Sequence, residues 1–445
     1  MLPSNFADSQ ITIIGLGYVG LTLAVAMADA GFRVHGIEHN QLVLDQLKQG
    51  KAHFTEIGLN EKLTAQVLRG RFTFSASLSE SKSTVFIVTV GTPIGFDKQT
   101  QSEPLKQVIE AIASILKNGD LVVLRSTVRI GATENIVKPI LNNSGKLYDL
   151  AFCPERTLEG RALLELRSLP QIVGGVNQQS TFRASQVFSF LTPSIVRVSN
   201  AATAEAIKLV NNTQRDYIFA FANEVAAIAD VLGLSAHEII SGGNLGYPRA
   251  NLPFPGPVGG PCLEKDPYIL AEGLAQVDFV PELALAARRF NENLLPTVVC
   301  KLVSKLKALR IPSPDRIAVL GFAFKGRPET NDLRGSMVTS LITELKAQFP
   351  SSNLVGWDPI VSKFEIDKLG AKPTSSPEEA FDGSRLVIIQ NNHEFFQRAD
   401  LARLSQAMQS PGVIYDFWNS QNGLDEQNLP EGIKYLALGE LNVNV

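Results

Sequence analysis

Cysteine is scarce in this sequence, which has three cysteines among 445 residues. The number of cysteines is odd, they are widely separated, and no C-x-x-C pair occurs among Cys153, Cys262 and Cys300. The sequence therefore predicts neither a disulfide framework nor a zinc site, and no metal is expected. Any chemical role of Cys262 would be that of a reduced thiol.

Long apolar runs and blocks of like charge are also missing. No uncharged apolar run approaches the length needed to cross a bilayer, and the N-terminal MLPSNFADSQ has neither the basic nor the apolar segment of a signal peptide. A formal net charge of -3 gives no general attraction to nucleic acid or to an anionic membrane. We therefore expect a cytoplasmic protein that binds neither.

Two series of strand-like runs, rich in Ile and Val, alternate with helical segments. The first series lies at 11–17, 32–38, 83–93, 120–127, 147–155 and 171–175, and the second at 317–326, 353–359, 386–392 and 412–419. This alternation predicts parallel sheets with crossover helices.

The middle of the chain has a different pattern. The proline-free segment 203–232 predicts one long helix that stops at Gly233, and a second helical segment follows at 281–309. We predict an α/β protein in which two Rossmann-like doubly wound parallel-sheet domains are joined by a long central helix and a helical middle domain. The expected boundaries are 1–200, 201–310 and 311–445.

The motif GLGYVG follows the first predicted strand and opens a helix, and Glu38 ends the second strand 18 residues after the last glycine. This context is typical of a dinucleotide site, in which glycines admit the pyrophosphate and the acid accepts bonds from ribose hydroxyls. The carboxylate would repel a 2′-phosphate, so NAD is preferred over NADP. The residues expected at the cofactor are Gly15, Leu16, Gly17, Tyr18, Val19, Gly20 and Glu38.

Two later strand ends, VGTP and RSTV, place Thr92 and Thr127 where the nicotinamide half of the cofactor should lie. Either hydroxyl could bond the cofactor or a water molecule there. Threonine at a strand end also has ordinary structural explanations, so the residue type leaves both interpretations open.

The segment PFPGPVGGPCLEKDP, from Pro253 to Pro267, sets Cys262 in a stiff Gly/Pro loop with Asp266 four residues later. A lone cysteine is often simple filler, but this polar loop is an unlikely apolar core, so we favour a nucleophile. If Cys262 opens a helical turn, the two side chains share a face.

Two further pairs of polar residues are candidates. Lys208 and Asn212 are four residues apart on the long helix, where a solvated lysine is the alternative. Glu155 and Glu159 follow a strand end, where the alternative is a helix N-terminus stabilised by carboxylates.

Several motifs, taken in order, resemble those of the UDP-glucose/GDP-mannose dehydrogenase family: GLGYVGL, VGTP, STV, CPER, TAEAIKLVNNT, PFPGPVGGPCLEKDP, ARRFNE and GFAFKGRPETNDLRGS. The resemblance implies an NAD-binding domain over 1–200, a helical dimer-forming domain over 201–310 and a UDP-sugar-binding domain over 311–445. It also implies a homodimer that oxidises a sugar C6 alcohol to a carboxylate, using two NAD in turn.

The same resemblance implies roles for the candidate residues. Cys262 would trap the aldehyde as a thiohemiacetal that becomes a thioester. Lys208 and Asn212 would stabilise the oxyanion. The remaining assignments are water activation for Asp266 and Thr127, a catalytic carboxylate for Glu155 and a cofactor-side acid for Glu159.

The substrate branch is indicated by CPERTLEGR and PRANLPFPGPVGGPC, which resemble the enzymes of UDP-N-acetylhexosamines such as UDP-N-acetylmannosamine. Two departures are Pro261, where that branch commonly has histidine, and Glu159, where it usually has proline. UDP-N-acetylglucosamine and UDP-glucose stay as alternative substrates.

A two-electron hydroxyacid dehydrogenase and a non-catalytic nucleotide-sugar binding protein are the rival functions. Residues expected at the UDP-sugar are Arg156, Lys208, Asn212, Arg249, Gly259, Lys325 and Arg334.

Overall fold

Two β-sheets with flanking helices organise the computed structural model, which describes residues 2–3, 5–275 and 277–442. The chain divides into two units, of which unit 1 comprises 1–212 and 265–281 and unit 2 comprises 213–264 and 282–445. The doubly wound α/β class expected from the sequence is confirmed. The three domain boundaries given above stay a prediction.

Unit 1 contains an 8-stranded sheet of order β3-β2-β1-β4-β5-β6-β7-β8. Its strands are β1 (Gln10–Ile14), β2 (Arg33–Ile37), β3 (Phe72–Ser75), β4 (Val85–Val88), β5 (Asp120–Leu124), β6 (Tyr148–Phe152), β7 (Gln171–Gly175) and β8 (Ile195–Arg197). The expectation of a wholly parallel sheet is wrong at one pair, because β6 and β7 are antiparallel. The order 3-2-1-4-5-6 of a dinucleotide-binding fold is retained in the first six strands.

Unit 2 contains a 6-stranded parallel sheet of order β11-β10-β9-β12-β13-β14. Its strands are β9 (Arg316–Leu320), β10 (Asn353–Trp357), β11 (Lys372–Pro373), β12 (Leu386–Ile389), β13 (Gly412–Asp416) and β14 (Ile433–Ala437). Counted within the unit, this is again the order 3-2-1-4-5-6. Both sheets therefore have a point at which the strand order reverses, and ligands of such folds bind there.

Helices cover the sheets and connect the strands. Those before residue 276 are α1 (Tyr18–Ala30), α2 (Gln41–Lys48), α3 (Leu59–Leu68), α4 (Glu103–Ile115), α5 (Lys138–Asn142), α6 (Ala162–Ser168), α7 (Gln178–Phe188), α8 (Ala201–Leu232), α9 (Ala236–Asn244), α10 (Gly260–Leu263) and α11 (Asp266–Ala275). The later ones are α12 (Glu282–Ala308), α13 (Val338–Gln348), α14 (Lys363–Lys368), α15 (Pro377–Phe381), α16 (Glu394–Arg398) and α17 (Leu401–Leu404). A π-helical turn over Thr133–Val137 directly precedes α5.

The apolar strand runs form the cores, as expected for strands with both faces covered. β4 (VFIV) and β12 (LVII) are buried at every residue. The predicted long helix is confirmed as α8, and Gly233 follows it with φ +70°, a conformation that glycine adopts without steric cost.

Within the described part of the chain, no helix is long and apolar enough to cross a membrane. The same residues contain no group of three or more His, Cys, Asp or Glu side chains that could hold a metal ion.

Candidate active site

The GLGYVG loop lies at the carboxyl end of β1 and is shaped by its three glycines. Gly15 has φ +90°, and its N–H donates to the Ile37 carbonyl at 2.8 Å. A Cβ on Gly20 would lie 1.8 Å from the Gly15 oxygen, whereas a Cβ on Gly17 would meet nothing within 4 Å. The loop thus leaves open space above the N-terminus of α1, where an anion is favoured, so these residues fit the pyrophosphate of NAD.

Glu38 follows β2 and is only 8% exposed. One carboxylate oxygen accepts from the Leu16 N–H at 3.0 Å and the other from the Asn40 N–H at 2.9 Å. These bonds hold a negative charge beside the glycine loop, where it is an acceptor for ribose hydroxyls and opposes a 2′-phosphate. Val19, the other loop residue expected at the cofactor, lies in the first turn of α1.

Tyr18 connects the glycine loop to the segment that contains Glu159. Its hydroxyl donates to the Glu56 carboxylate and accepts from the Gly160 N–H at 3.0 Å, and the same N–H lies 2.8 Å from Glu56 Oε2. Burial and the neighbouring Glu56 raise the pKa of Tyr18, so its phenol stays protonated. Glu56 belongs to no recognisable motif, so the sequence did not identify it as a residue of the site.

Glu155 is a buried carboxylate with its hydrogen-bonding capacity already used. One oxygen pairs with Arg125, whose Nε lies 3.1 Å away, and the other accepts from the N–H groups of Arg156 at 2.7 Å and Thr157 at 2.8 Å. Burial acts to raise the pKa of Glu155, but Arg125 and the Thr157 N–H hold it below its ordinary value. Arg125 also donates to the Gln171 side chain at 2.9 Å. Neither partner was predicted.

Lys208 and Asn212 project from α8 toward two different predicted residues. The Lys208 ammonium donates to the Glu155 main-chain oxygen at 2.5 Å, and Asn212 Nδ2 donates to Asp266 Oδ2 at 2.6 Å. Lys208 is 9% exposed and Asp266 is fully buried at the start of α11. The alternative of a solvated lysine is therefore wrong, and the structure brings these four residues together in two pairs. Glu155 also precedes α6 by several residues, so it opens no helix.

Thr92 and Thr127 are also in contact. The Thr92 hydroxyl donates to the Thr127 carbonyl at 2.5 Å, and the Lys265 ammonium donates to the Thr92 carbonyl at 3.1 Å. Lys265 immediately precedes Asp266 and was not among the residues expected at the site. It links the start of α11 to the ends of β4 and β5.

Cys262 lies in unit 2, half-buried in the short helix α10. The two glycines before it are required by close contacts: a Cβ on Gly259 would lie 2.2 Å from the Gly335 oxygen, and one on Gly260 would lie 2.5 Å from the Phe324 ring. The Gly260 N–H donates to the Gly335 carbonyl at 2.8 Å. The segment around the thiol therefore packs directly on the FKGRPETNDLRG loop that follows β9.

Four cations expected at the substrate have local partners within their own units. Lys325 lies 5.4 Å from the Phe324 ring centroid, and Arg334 Nε donates to both Asp332 oxygens at 3.0 and 2.9 Å. Arg249 Nε donates to the Tyr247 hydroxyl at 3.0 Å. In unit 1, Arg156 donates to the Pro170 carbonyl at 2.5 Å. Their roles at a substrate stay predictions.

The chain matches three domain profiles of the UDP-glucose/GDP-mannose dehydrogenase family: the NAD binding domain over 9–192, the central domain over 202–293 and the UDP binding domain over 318–422. A UDP-N-acetyl-D-mannosamine dehydrogenase of Methanococcus maripaludis is 32% identical over 399 residues, which are 88% of this chain and 88% of that protein. An NDP-N-acetyl-D-galactosaminuronic acid dehydrogenase of Ralstonia nicotianae is 33% identical over 408 residues, 88% of this chain and 93% of that one.

The fold is similarly shared with solved structures. A UDP-D-ManNAc dehydrogenase from Pyrococcus horikoshii gives a TM-score of 0.86 at 29% identity, covering 98% of this chain and 100% of that chain.

Proposed function

Because the chain belongs to the UDP-glucose/GDP-mannose dehydrogenase family, we propose that it oxidises C6 of a UDP-N-acetylhexosamine, with UDP-N-acetyl-D-mannosamine as the leading substrate. The family membership, the enzyme class and the NAD cofactor expected from the motifs are confirmed: the chain is an NAD-dependent nucleotide-sugar dehydrogenase. The choice of substrate rests on one observation, the extended similarity to UDP-N-acetyl-D-mannosamine dehydrogenases.

The chemistry of a four-electron oxidation explains the need for a thiol. NAD held at the glycine loop by Gly15, Gly17 and Glu38 would supply the hydride acceptor for each oxidation. An aldehyde has no hydride to give until a nucleophile adds to its carbonyl carbon, and the Cys262 thiolate makes that addition. The thiohemiacetal loses a hydride from C6 and the proton of its hydroxyl group to become a thioester, and water then cleaves the C–S bond to release the uronate and restore the thiol.

The polar residues of unit 1 stabilise charge and orient water in this scheme. The Lys208 ammonium and the Asn212 amide stabilise the negative oxygen that develops at C6. Asp266 and Thr127 orient the water that attacks the thioester. The 2.6 Å bond between Asn212 and Asp266 supports a shared role, because it fixes both side chains before the substrate arrives.

Glu155 acts by position in this proposal. Its two carboxylate oxygens already face Arg125 and two main-chain N–H groups, while its carbonyl oxygen holds the Lys208 ammonium. A carboxylate occupied in this way is a poor general base, since its lowered pKa and its donors both disfavour proton uptake. Glu155 therefore sets the orientation of Lys208. We propose that Arg156 acts at the substrate and Glu159 at the cofactor.

The nucleotide is bound by cations and main-chain groups. Lys325 and Arg334 pair with the diphosphate, Arg249 contacts the sugar nucleotide, and the Gly259 main chain approaches the substrate beside Cys262. Gly259 also packs against the Gly335 carbonyl, which leaves no room for a side chain there.

We propose further that the protein is a cytoplasmic homodimer. Support for the dimer comes from an apolar stripe on α8 formed by Tyr217, Phe221, Ile228 and Leu232, which are 43%, 47%, 48% and 63% exposed. Their spacing of four, seven and four residues places them on one face of the helix. A second copy of this chain is the occupant proposed for that face.

A substrate panel tests the proposed function. Purified protein and NAD are mixed separately with UDP-N-acetylmannosamine, UDP-N-acetylglucosamine, UDP-N-acetylgalactosamine, UDP-glucose and GDP-mannose, and NADH is followed. The highest kcat/KM is expected for UDP-N-acetylmannosamine. Similarity to the Ralstonia nicotianae enzyme makes UDP-N-acetylgalactosamine the second candidate. Preference for UDP-glucose would refute the N-acetylhexosamine assignment, and binding without any NADH would favour a non-catalytic binding protein.

A further inference from the structure

The buried side chain of Arg288, in the ARRFNE motif on α12, has no part in the scheme above, although it touches the Cys262 segment at two points. Its Nη2 donates to the Val258 carbonyl at 3.1 Å and its Nη1 donates to the Leu263 carbonyl at 2.9 Å. Val258 precedes the thiol by four residues and Leu263 follows it directly. The guanidinium therefore bridges the two ends of the segment that contains Cys262.

Arg288 is itself fixed by a buried counter-ion. Its Nη1 lies 2.7 Å from Asp216 Oδ1, and the two side chains are 1% and 0% exposed. Burial raises the pKa of Asp216 to about 6 and Arg288 acts against that rise, so the carboxylate is ionised at neutral pH. Asn291 also donates to Asp216 Oδ1 at 2.9 Å. A planar guanidinium can serve these three acceptors at once, which a lysine ammonium cannot do with the same geometry.

The network continues to the start of the same segment. Asn291 Oδ1 accepts from Asn223 Nδ2 at 3.0 Å. Asn223 in turn donates to the Gly256 carbonyl at 3.1 Å and accepts from the Gly256 N–H at 2.8 Å. Both asparagines are fully buried. Helices α8 and α12 thus hold the Cys262 segment at three places, Gly256, Val258 and Leu263.

We propose that Arg288 is a positioning residue for the Cys262 thiol, set by Asp216, and that it acts on the second of the two oxidations. The proposal rests on the proposed function, because only the second oxidation needs the thiol. A guanidinium that merely stabilised the fold would change the amount of active protein and would affect both oxidations equally. A positioning role slows thiol addition and leaves the first hydride loss intact.

The test compares the network variants Arg288→Lys and Asp216→Asn with a control, Arg289→Lys. Arg289 is the exposed arginine that follows Arg288 in the chain. Stopped-flow NADH traces separate the two oxidations, and hydroxylamine traps any aldehyde. In both network variants the first phase should stay within about twofold of wild type, the second should slow on the order of 10- to 100-fold, and aldehyde should be trapped. Arg289→Lys should match wild type.

A second readout does not depend on the substrate. Iodoacetamide labelling, followed peptide by peptide, gives the alkylation rate of Cys262, with the exposed Cys300 as internal reference. In the network variants the hydrogen bonds that hold the segment are weakened, so the half-buried Cys262 should be alkylated several-fold faster than in wild type. The alkylation rate of Cys300 should stay unchanged. Equal slowing of both NADH phases, or an unaltered Cys262 rate in a folded network variant, overturns the proposal. If Arg288→Lys does not fold, Asp216→Asn decides by the same criteria. A wild-type protein inert toward every nucleotide sugar refutes the proposed function instead.

Discussion

Cys262 is the residue on which the proposed chemistry depends most directly. Cys262→Ala should abolish uronate formation, because no other group in the scheme forms the C–S bond, while the affinity for NAD should stay within about twofold of wild type. Uronate is measured by chromatography and NAD binding by calorimetry. Cys300→Ala, at an exposed cysteine of α12, is the matched control and should leave both unchanged. Near-normal turnover of Cys262→Ala would refute the covalent route.

Glu38 is the residue that decides how NAD is held. Glu38→Ala removes an acceptor for the ribose and the bonds from Leu16 and Asn40, so the KM for NAD should rise about 10- to 100-fold. Steady-state kinetics at saturating UDP-sugar measure this change. Asp45→Asn, at a carboxylate of α2 that is 49% exposed and pairs with Lys48, should leave the KM unchanged. An unaltered KM in Glu38→Ala would show that the carboxylate does not contact the cofactor.

Several residues of the site could be predicted because they sit in recognisable contexts. Gly15, Gly17 and Glu38 follow strands at a spacing that has a physical reason, and Lys208 and Asn212 share a helix face. The supporting residues were not predictable in this way. Arg125, Gln171, Glu56 and Lys265 act through contacts 28 to 173 residues away in sequence, and no local pattern reports such partners.

Pro261 shows how the structure supplies a reason that the sequence left open. It lies in the first turn of α10, where the missing N–H of proline costs no helical hydrogen bond. A stiff start to this short helix is consistent with a segment that must present a thiol. Glu264 is exposed, and its carboxylate packs near Gly335.

Among the elements, the π-helical turn over Thr133–Val137 is held by one buried carboxylate of α8. Glu205 accepts from the Gly131 N–H at 2.6 Å and the Thr133 N–H at 2.8 Å and is fully buried. Burial raises the pKa of Glu205 to about 7 from an ordinary value of 4.5, although these donors lower it. The folded state therefore favours the protonated acid, a stabilisation present at low pH and lost as pH rises through about 7.

Glu205→Gln isolates this contribution. Relative to that variant, the wild type should lose about 2 kcal/mol of unfolding free energy between about pH 5 and about pH 8. Urea unfolding at several pH values measures the difference. Glu224→Gln, at an exposed position of the same helix, should show no such trend. A flat difference between Glu205→Gln and wild type would contradict the raised pKa.

The strands that sequence patterns missed share a physical feature. β3, β8, β11 and β14 are the outermost strands of the two sheets, and their apolar runs are short or interrupted. β8 is IVR with two exposed residues, and β11 has only two residues, one of them proline. A strand at the edge of a sheet is less completely buried than a central strand. Its sequence therefore lacks the continuous Val and Ile runs that identify the central strands. The antiparallel direction of β7 was also unpredictable, because periodicity carries no direction.

For the whole molecule, the proposed dimer makes the apolar stripe on α8 a testable surface. Phe221→Glu places a charge at the centre of that stripe and should convert a dimer of about twice 48.3 kDa to a monomer. Light scattering after gel filtration measures the mass. Phe364→Glu, at a 67% exposed phenylalanine of α14, is the matched control and should stay dimeric. A monomeric wild type, or a Phe221→Glu dimer, would contradict the assignment of the stripe.

The central claim is that this chain carries one substrate through two successive oxidations by way of a thioester. The most direct measurement is the stoichiometry of NADH formed to UDP-N-acetylmannosamine consumed, with the product identified by mass spectrometry. The account predicts about two NADH for each sugar nucleotide and a uronate as the product, as the two hydride losses require. One NADH for each substrate, with an aldehyde or ketone as the end product, would contradict it and would identify the protein as a two-electron dehydrogenase.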